Sequence, residues 1–316
     1  MQGMYTRKTS GCGHGGIFGA AEGRYGKFVF CMMGFVLFLA DTRAAADGVR
    51  AGLELCAGSL IPSLFPFLVL SPMLSSGAVS VLCRRGSIAG ALFCAFVLGM
   101  AAGFPIGALI LVSLYEGGVL SREDAQNLLG VCSGASAAFC VGYVGEALCA
   151  SVGLGWLIWC IQLLLCLVGF LVILSKIRPT RAADIPMQEP PALTECIRDA
   201  VPRMLSVSGT VVFFSVLRAF AVRYIGGIGA AVLCGVCEIT GGLHELRGLA
   251  DAGLLSVGTA IVIGAGLLGF GGICVLAQIT QAVSHAGLSM KRCLLTRLRL
   301  GIAAAALSFV LYMLCS

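Results

Sequence analysis

Nine apolar stretches divide the chain, at approximately 25–45, 52–77, 87–114, 123–146, 150–174, 198–222, 226–243, 252–285 and 298–315. No Asp, Glu, Lys or Arg occurs between Arg85 and Glu116, between Glu146 and Lys176, or between Asp251 and Lys291. Crossing the hydrocarbon of a bilayer takes about 20 mostly apolar residues in a helix. Ala150 to Leu174 meets that length with Ser151 and Gln162 as its clearly polar positions, and predicts a membrane helix. The longest polar run, Ser175 to Glu195, holds Lys176, Arg178 and Arg181 together with Pro179, Pro186, Pro190 and Pro191. It predicts a cytoplasmic linker over 175–197 between two halves, 48–174 and 198–316.

Several stretches are interrupted. Pro62, Pro66 and Pro72 fall in the second, Gly103-Phe-Pro-Ile-Gly107 breaks the third, and Thr240-Gly-Gly242 breaks the seventh. Five glycines between Gly264 and Gly272 crowd the eighth, whose charge-free run of 39 residues is long for one crossing and short for two. The expectation is that stretches four (123–146) and eight (252–285) are re-entrant hairpins and that all the others cross. With the N-terminus cytoplasmic, that arrangement leaves 16 of the 21 basic residues inside, against 8 if stretch four crossed, as the positive-inside rule prefers. Stretches two to five and six to nine then follow the same order from opposite faces, an inverted repeat of the kind many secondary transporters use. The predicted fold is an all-α polytopic membrane protein in which broken helices and two re-entrant hairpins form that repeat.

Composition agrees with lipid as the solvent. Of 316 residues, 59% are apolar and 11% charged, where soluble domains carry roughly 25% charged residues. The net charge of +6 does not point to nucleic acid, because the basic residues sit in short clusters beside apolar runs. The 16 cysteines are scattered singly and read as small apolar side chains; Cys234 and Cys237 have a CxxC spacing but no partner ligands nearby. Arg24 and Lys27 ahead of Phe28 to Ala40, with Ala44-Ala-Ala46 after it, resemble a signal peptide. A retained first helix over 25–47 behind a disordered tail, 1–24, is preferred because further membrane segments follow. Three histidines without ligand spacing, no P-loop and no GxSxG turn leave nothing that points to an enzyme, and no cofactor or metal is expected.

Irregular backbone at membrane depth is tolerated only where protein or a watery cavity satisfies it, so the breaks are where a binding site is expected. Ser133, Gly134 and Ser136 offer hydroxyls and free backbone N–H groups, and half-helix N-termini suit an anionic group. Gly103, Pro105, Thr240, Gly271, Gly272 and Gln278 complete the candidate substrate site. Glu238, an acid within an apolar run, is the candidate for organising the site or binding a coupling proton or sodium ion.

Ser59-Leu-Ile-Pro-Ser-Leu-Phe-Pro-Phe67, Gly99-Met-Ala-Ala-Gly-Phe-Pro-Ile-Gly107, the Cys132 to Phe139 stretch, Glu238-Ile-Thr-Gly-Gly242 and Gly269-Phe-Gly-Gly272 carry a family resemblance. Their order and spacing resemble the sporulation integral membrane proteins of the YlbJ type, which share the nucleoside-recognition (gate) domain. The resemblance implies a fold similar to concentrative nucleoside transporters and a place in the bacterial cell membrane. It also implies a role in endospore formation, in the passage of dipicolinic acid out of the mother cell. The expected function is secondary transport of a small polar anion, with dipicolinate as the suspected solute. A nucleoside-type transporter and a non-transporting sporulation scaffold or receptor remain alternatives, and the oligomeric state is open.

Overall fold

The computed structural model describes residues 17–84, 87–177 and 191–315, and every regular element among them is helical. Residues 1–16 of the expected tail and 178–190 of the expected linker lie outside the described residues. The first helix, α1 (Ile17–Ala40), starts inside the expected tail, where Ala20-Ala-Glu22 are good helix formers. Asp41 ends it and caps α2 (Thr42–Leu55), accepting the Ala44 N–H at 3.1 Å. A π-helical stretch, Cys56–Leu60, leads into α3 (Ile61–Arg84). The path bends by 50° between Leu60 and Leu64, beside Pro62, which has no N–H to give to the helix ladder.

The next two helices, α4 (Ile88–Ala102) and α5 (Ile106–Glu116), fold back on each other. Gly99 and Gly107 would stand about 12 Å apart along a continuous helix. Instead a Cβ placed on Gly99 would lie 3.0 Å from the Gly107 Cα. The same happens in α10 (Gly227–Cys237) and α11 (Ile239–Asp251), where a Cβ on Gly242 would overlap the backbone of Gly235. Both pairs are helical hairpins, with tips at 103–105 and at Glu238. Glycine permits this contact of backbone on backbone, as small residues do between membrane helices.

The stretches expected to turn back do not. After α6 (Arg122–Cys132), an irregular break at Ser133–Ser136 passes into a π-helical stretch, Phe139–Val144, and a single turn, α7 (Gly145–Ala147). This line runs antiparallel to α8 (Val152–Leu174): Gly155 packs on Cys140 and Gly145, and Gly169 on Val131. Likewise α12 (Val257–Phe270) and α13 (Gly272–Val283) form one 27-residue apolar line. Its α12 part runs antiparallel to α14 (Lys291–Cys315), with Gly258 against Tyr312, Gly266 against Ala305 and, at the break, Gly271 against Arg297. The sequence expectation is therefore corrected: hairpins are stretches three and seven, and stretches four and eight are helices that break and continue. The surplus residues of the long charge-free run form the connection over 284–290 rather than a second leg.

Among the described residues four helices are long and apolar enough to cross a membrane: Val152–Leu174, Leu193–Tyr224 (α9), Val257–Val283 and the Lys291–Leu314 portion of α14. The bent pair through α2 and α3 makes a fifth. Their outward faces are apolar, with Leu164, Val168 and Leu171 on α8, Leu205 on α9 and Ile302 and Phe309 on α14 all exposed, which suits lipid contact. The chain is a multi-pass helical membrane protein.

The polar groups separate to two ends. At one, Arg122 donates to the Gly287 carbonyl, Arg292 pairs with Glu123 at 2.9 Å, and His285 lies 3.5 Å from Glu116. At the other, Arg223 pairs with Asp41 at 2.9 Å and Arg247 with Asp251 at 2.8 Å. The expected arrangement puts Arg247 on the cytoplasmic side with Lys291 and Arg292 and Arg122 outside; in the structure Arg122 joins Lys291 and Arg292, and Arg247 lies at the other end. The swap of hairpins and crossings requires this exchange.

Candidate functional site

Both hairpin tips point at helix breaks. A Cβ on Gly103 would lie 3.1 Å from both the Ser136 N and its Cβ, which presses the first tip onto the break after α6. The Cys132 carbonyl, freed where α6 ends, is wedged between Gly99 and Gly107. The second tip meets the other break: a Cβ on Gly272 would lie 3.3–3.4 Å from the carbonyl oxygens of Gly235, Val236 and Cys237. Gly271 and Gly272 have φ of +95° and +75°, so the turn between α12 and α13 requires residues without a side chain.

Glu238 is buried at the second tip and caps α11. Its carboxylate accepts the Thr240 N–H at 2.9 Å, the Gly241 N–H at 2.7 Å and the Thr240 hydroxyl. The positive end of α11 is therefore already occupied by the chain's own anion, a stabilising placement. Tyr143, on the π-helical stretch, donates to the Thr240 carbonyl at 3.1 Å and ties the first break to the second tip. Ser136 caps the turn that follows it, accepting the Phe139 N–H at 3.1 Å. Gln278 donates to the Cys274 sulfur at 3.5 Å.

Between the tips lies a cavity of about 50 Å³, which is room for a few waters. Five of the candidates line it: Gly103, Ser136, Glu238, Thr240 and Gln278. The other five do not. Ser133 is fully buried and its hydroxyl has no hydrogen-bond partner; Gly134 packs against Met100; Pro105 occupies the N-cap position of α5 at the tip without lining the cavity. Gly271 and Gly272 shape the second break without reaching the cavity. The remaining walls are apolar, with Phe104, Phe139, Leu60, Leu64, Val207 and Val211 among them.

A larger recess of about 610 Å³ opens beside it. It is built from the same elements, further along: Leu68 and Ser71 continue α3 past Leu64, Ile106 and Leu109 continue the first hairpin, and Ala200 and Arg203 continue α9. Its outer rim carries Glu116, Asp199, Arg203 and His285, at the end where Arg122 and Arg292 lie.

Three side chains in or beside the site escaped the sequence reading: Phe104 at the first tip, Tyr143 on the stretch after the first break, and Arg297. Arg297 is fully buried. Its Nε donates to the Phe270 carbonyl at 3.1 Å and its Nη2 to that of Leu268 at 3.5 Å, so it caps the C-terminal end of α12. Gln162 of α8 donates to the same Leu268 carbonyl at 3.4 Å. The signal that could have found Arg297 is its spacing: Cys293, Arg297, Gly301 and Ala304 share one buried helical face.

Over a 340-residue alignment the chain is 25% identical to the sporulation integral membrane protein YlbJ of Bacillus subtilis (strain 168), covering 88% of this chain and 81% of that protein. The chain is related to the YlbJ-type sporulation membrane proteins. No family model matches it, and no solved structure does. The five stretches that carry the YlbJ-type resemblance are the start of α3, the two hairpin tips and the two helix breaks.

Proposed function

We propose that this protein is a secondary transporter that carries a small organic anion across the membrane, with dipicolinate as the expected solute. The convergence of two hairpin tips and two helix breaks on one cavity is the observation that carries the reading. Discontinuous helices expose N–H and C=O groups at membrane depth, and proteins accept that cost where a solute must be held. The order hairpin, broken helix, whole helix occurs twice, as α4–α5, α6–α7, α8 and as α10–α11, α12–α13, α14. We read the two as an inverted repeat whose hairpins enter the bilayer from opposite faces and return.

The positive-inside rule places the end bearing Arg122, Arg203, Lys291 and Arg292 in the cytoplasm. Exchanging Arg122 for Arg247 leaves the basic excess on that side intact, and the N-terminus stays cytoplasmic. The 610 Å³ recess then opens to the cytoplasm, which suits loading from that compartment. The name of its relative favours sporulation as the setting. In this reading Glu238 organises the second tip, since its oxygens are committed to α11. A coupling proton or sodium ion belongs to the same proposal.

A second reading, a carrier of neutral polar solutes such as nucleosides, is favoured by one observation: among the lining residues of the cavity is a carboxylic acid and no basic side chain. Uptake of labelled dipicolinate and of uridine into proteoliposomes separates the two. The expected result is saturable dipicolinate flux that falls to background with Ser136→Ala and Glu238→Gln while both variants remain folded. Uridine flux alone would replace the anion by a nucleoside, and no flux of either from a folded preparation would leave the scaffold reading.

A further inference from the structure

Arg297 carries a charge that nothing around it balances. It is 0% exposed, and among the described residues no carboxylate pairs with it. Arginine does not shed its proton in proteins, so it cannot escape burial by becoming neutral. Two carbonyls at the end of α12 take Nε and Nη2, while Nη1 has no hydrogen-bond partner. Beside the arginine lies the ring of Phe104, whose centroid is 5.0 Å from the guanidinium carbon. The face of an aromatic ring is weakly negative and can stand opposite a cation, but it does not neutralise a full charge.

Phe104 also lines the cavity between the hairpin tips. It therefore borders both the cavity and the guanidinium. At about 50 Å³ the cavity falls well short of the roughly 300 Å³ of an ordinary small-molecule pocket. A solute must displace part of the wall, and moving this ring adds volume and opens a fixed positive charge in the same step. Glu238 does not compete for that charge, because its oxygens are held by Thr240 and Gly241.

We propose that Arg297 is the anion-recognition residue of the transporter: its free Nη1 corner takes one carboxylate of a small mono- or dicarboxylate, and the Phe104 ring is the resting occupant that the carboxylate replaces. The assignment rests on the anion-transport reading and names the group that selects for the anion. Phe104 at a hairpin tip then makes ligand binding and tip movement one event.

Equilibrium binding of pyridine-2,6-dicarboxylate to the purified full-length protein, by calorimetry in detergent, is the test. Arg297→Gln is expected to weaken binding about 10- to 100-fold, the loss of one charge-assisted pair, and Arg297→Lys by less. Phe104→Leu is expected to tighten binding several-fold, because the ring that competes for the guanidinium is gone; a purely structural role for Phe104 would not do that. If Arg297→Gln does not fold, the comparison of Phe104→Leu with the parent decides alone. Parent-like affinity in a folded Arg297→Gln protein, or in Phe104→Leu, would overturn the assignment and leave the transport reading standing. No dicarboxylate binding by the folded parent would remove the anion reading and this assignment with it.

Discussion

Glu238 shows how an apparent functional acid can be a structural one as well. Three donors converge on its carboxylate, two from the backbone of α11 and one from Thr240. Removing the side chain leaves those N–H groups without an acceptor at a buried tip. Glu238→Ala is expected to lower stability by about 1–2 kcal/mol, as for the loss of a good cap, with Glu238→Gln in between; thermal unfolding in detergent reads both. Asp41, at the end of α1, supplies a pH effect. The Ala44 N–H, the Tyr224 hydroxyl and the Arg223 guanidinium all favour its charged form and hold its carboxyl below the usual range. A depressed folded value means that the stabilisation is present above the ordinary carboxylate value near 4 and is lost as pH falls through the folded one. Asp41→Asn should therefore flatten the acid limb of a melting-temperature profile below about pH 4, and an unchanged limb would contradict the clamp. At this scale Glu238 was legible, since an acid in an apolar run stands out. Arg297 was not, because it sits among Arg292, Arg299 and Lys291 and reads as one more cationic flank of a helix end.

Among elements, the breaks were legible and the direction of the chain after each break was not. A hairpin and a broken crossing are written with the same apolar residues, and charge counting cannot separate them when two errors cancel, as Arg122 and Arg247 did. What separates them is a pair of small residues spaced to meet across a turn. Gly99 and Gly107, and Gly235 and Gly242, are those pairs; no such contact joins α12, which lies along α14, to α13, which packs on α5, α9 and α10. A methyl group at Gly242 would overlap the backbone of Gly235, which cannot move aside as a side chain could. Gly242→Ala is expected to destabilise by about 1–3 kcal/mol or more, in the range of overpacked cores. Gly209→Ala on α9 meets nothing within 4 Å and should be neutral to stabilising by up to about 1 kcal/mol. Equal unfolding temperatures for the two would contradict the close packing of the second hairpin.

For the molecule as a whole, the membrane class, the helical fold and the grouping of polar residues at two ends follow from the apolar pattern, because lipid leaves few other solutions. The cavity was half legible: Gly103, Ser136, Glu238, Thr240 and Gln278 were picked from their own chemistry, while its apolar wall from α3 and α9 has no local signature. Everything functional depends on α4–α5 and α10–α11 turning back while 122–147 and 257–283 go through. Single cysteines tested with a membrane-impermeant maleimide from each side of sealed vesicles measure this most directly, after the 16 natural cysteines are replaced. Cysteines placed at Ser87, Ser121 and Ser289 should label from one side, and those at Ile225 and Leu254 from the other. Labelling of 87 and 121 from opposite sides, or of 254 and 289 from the same side, would contradict the account.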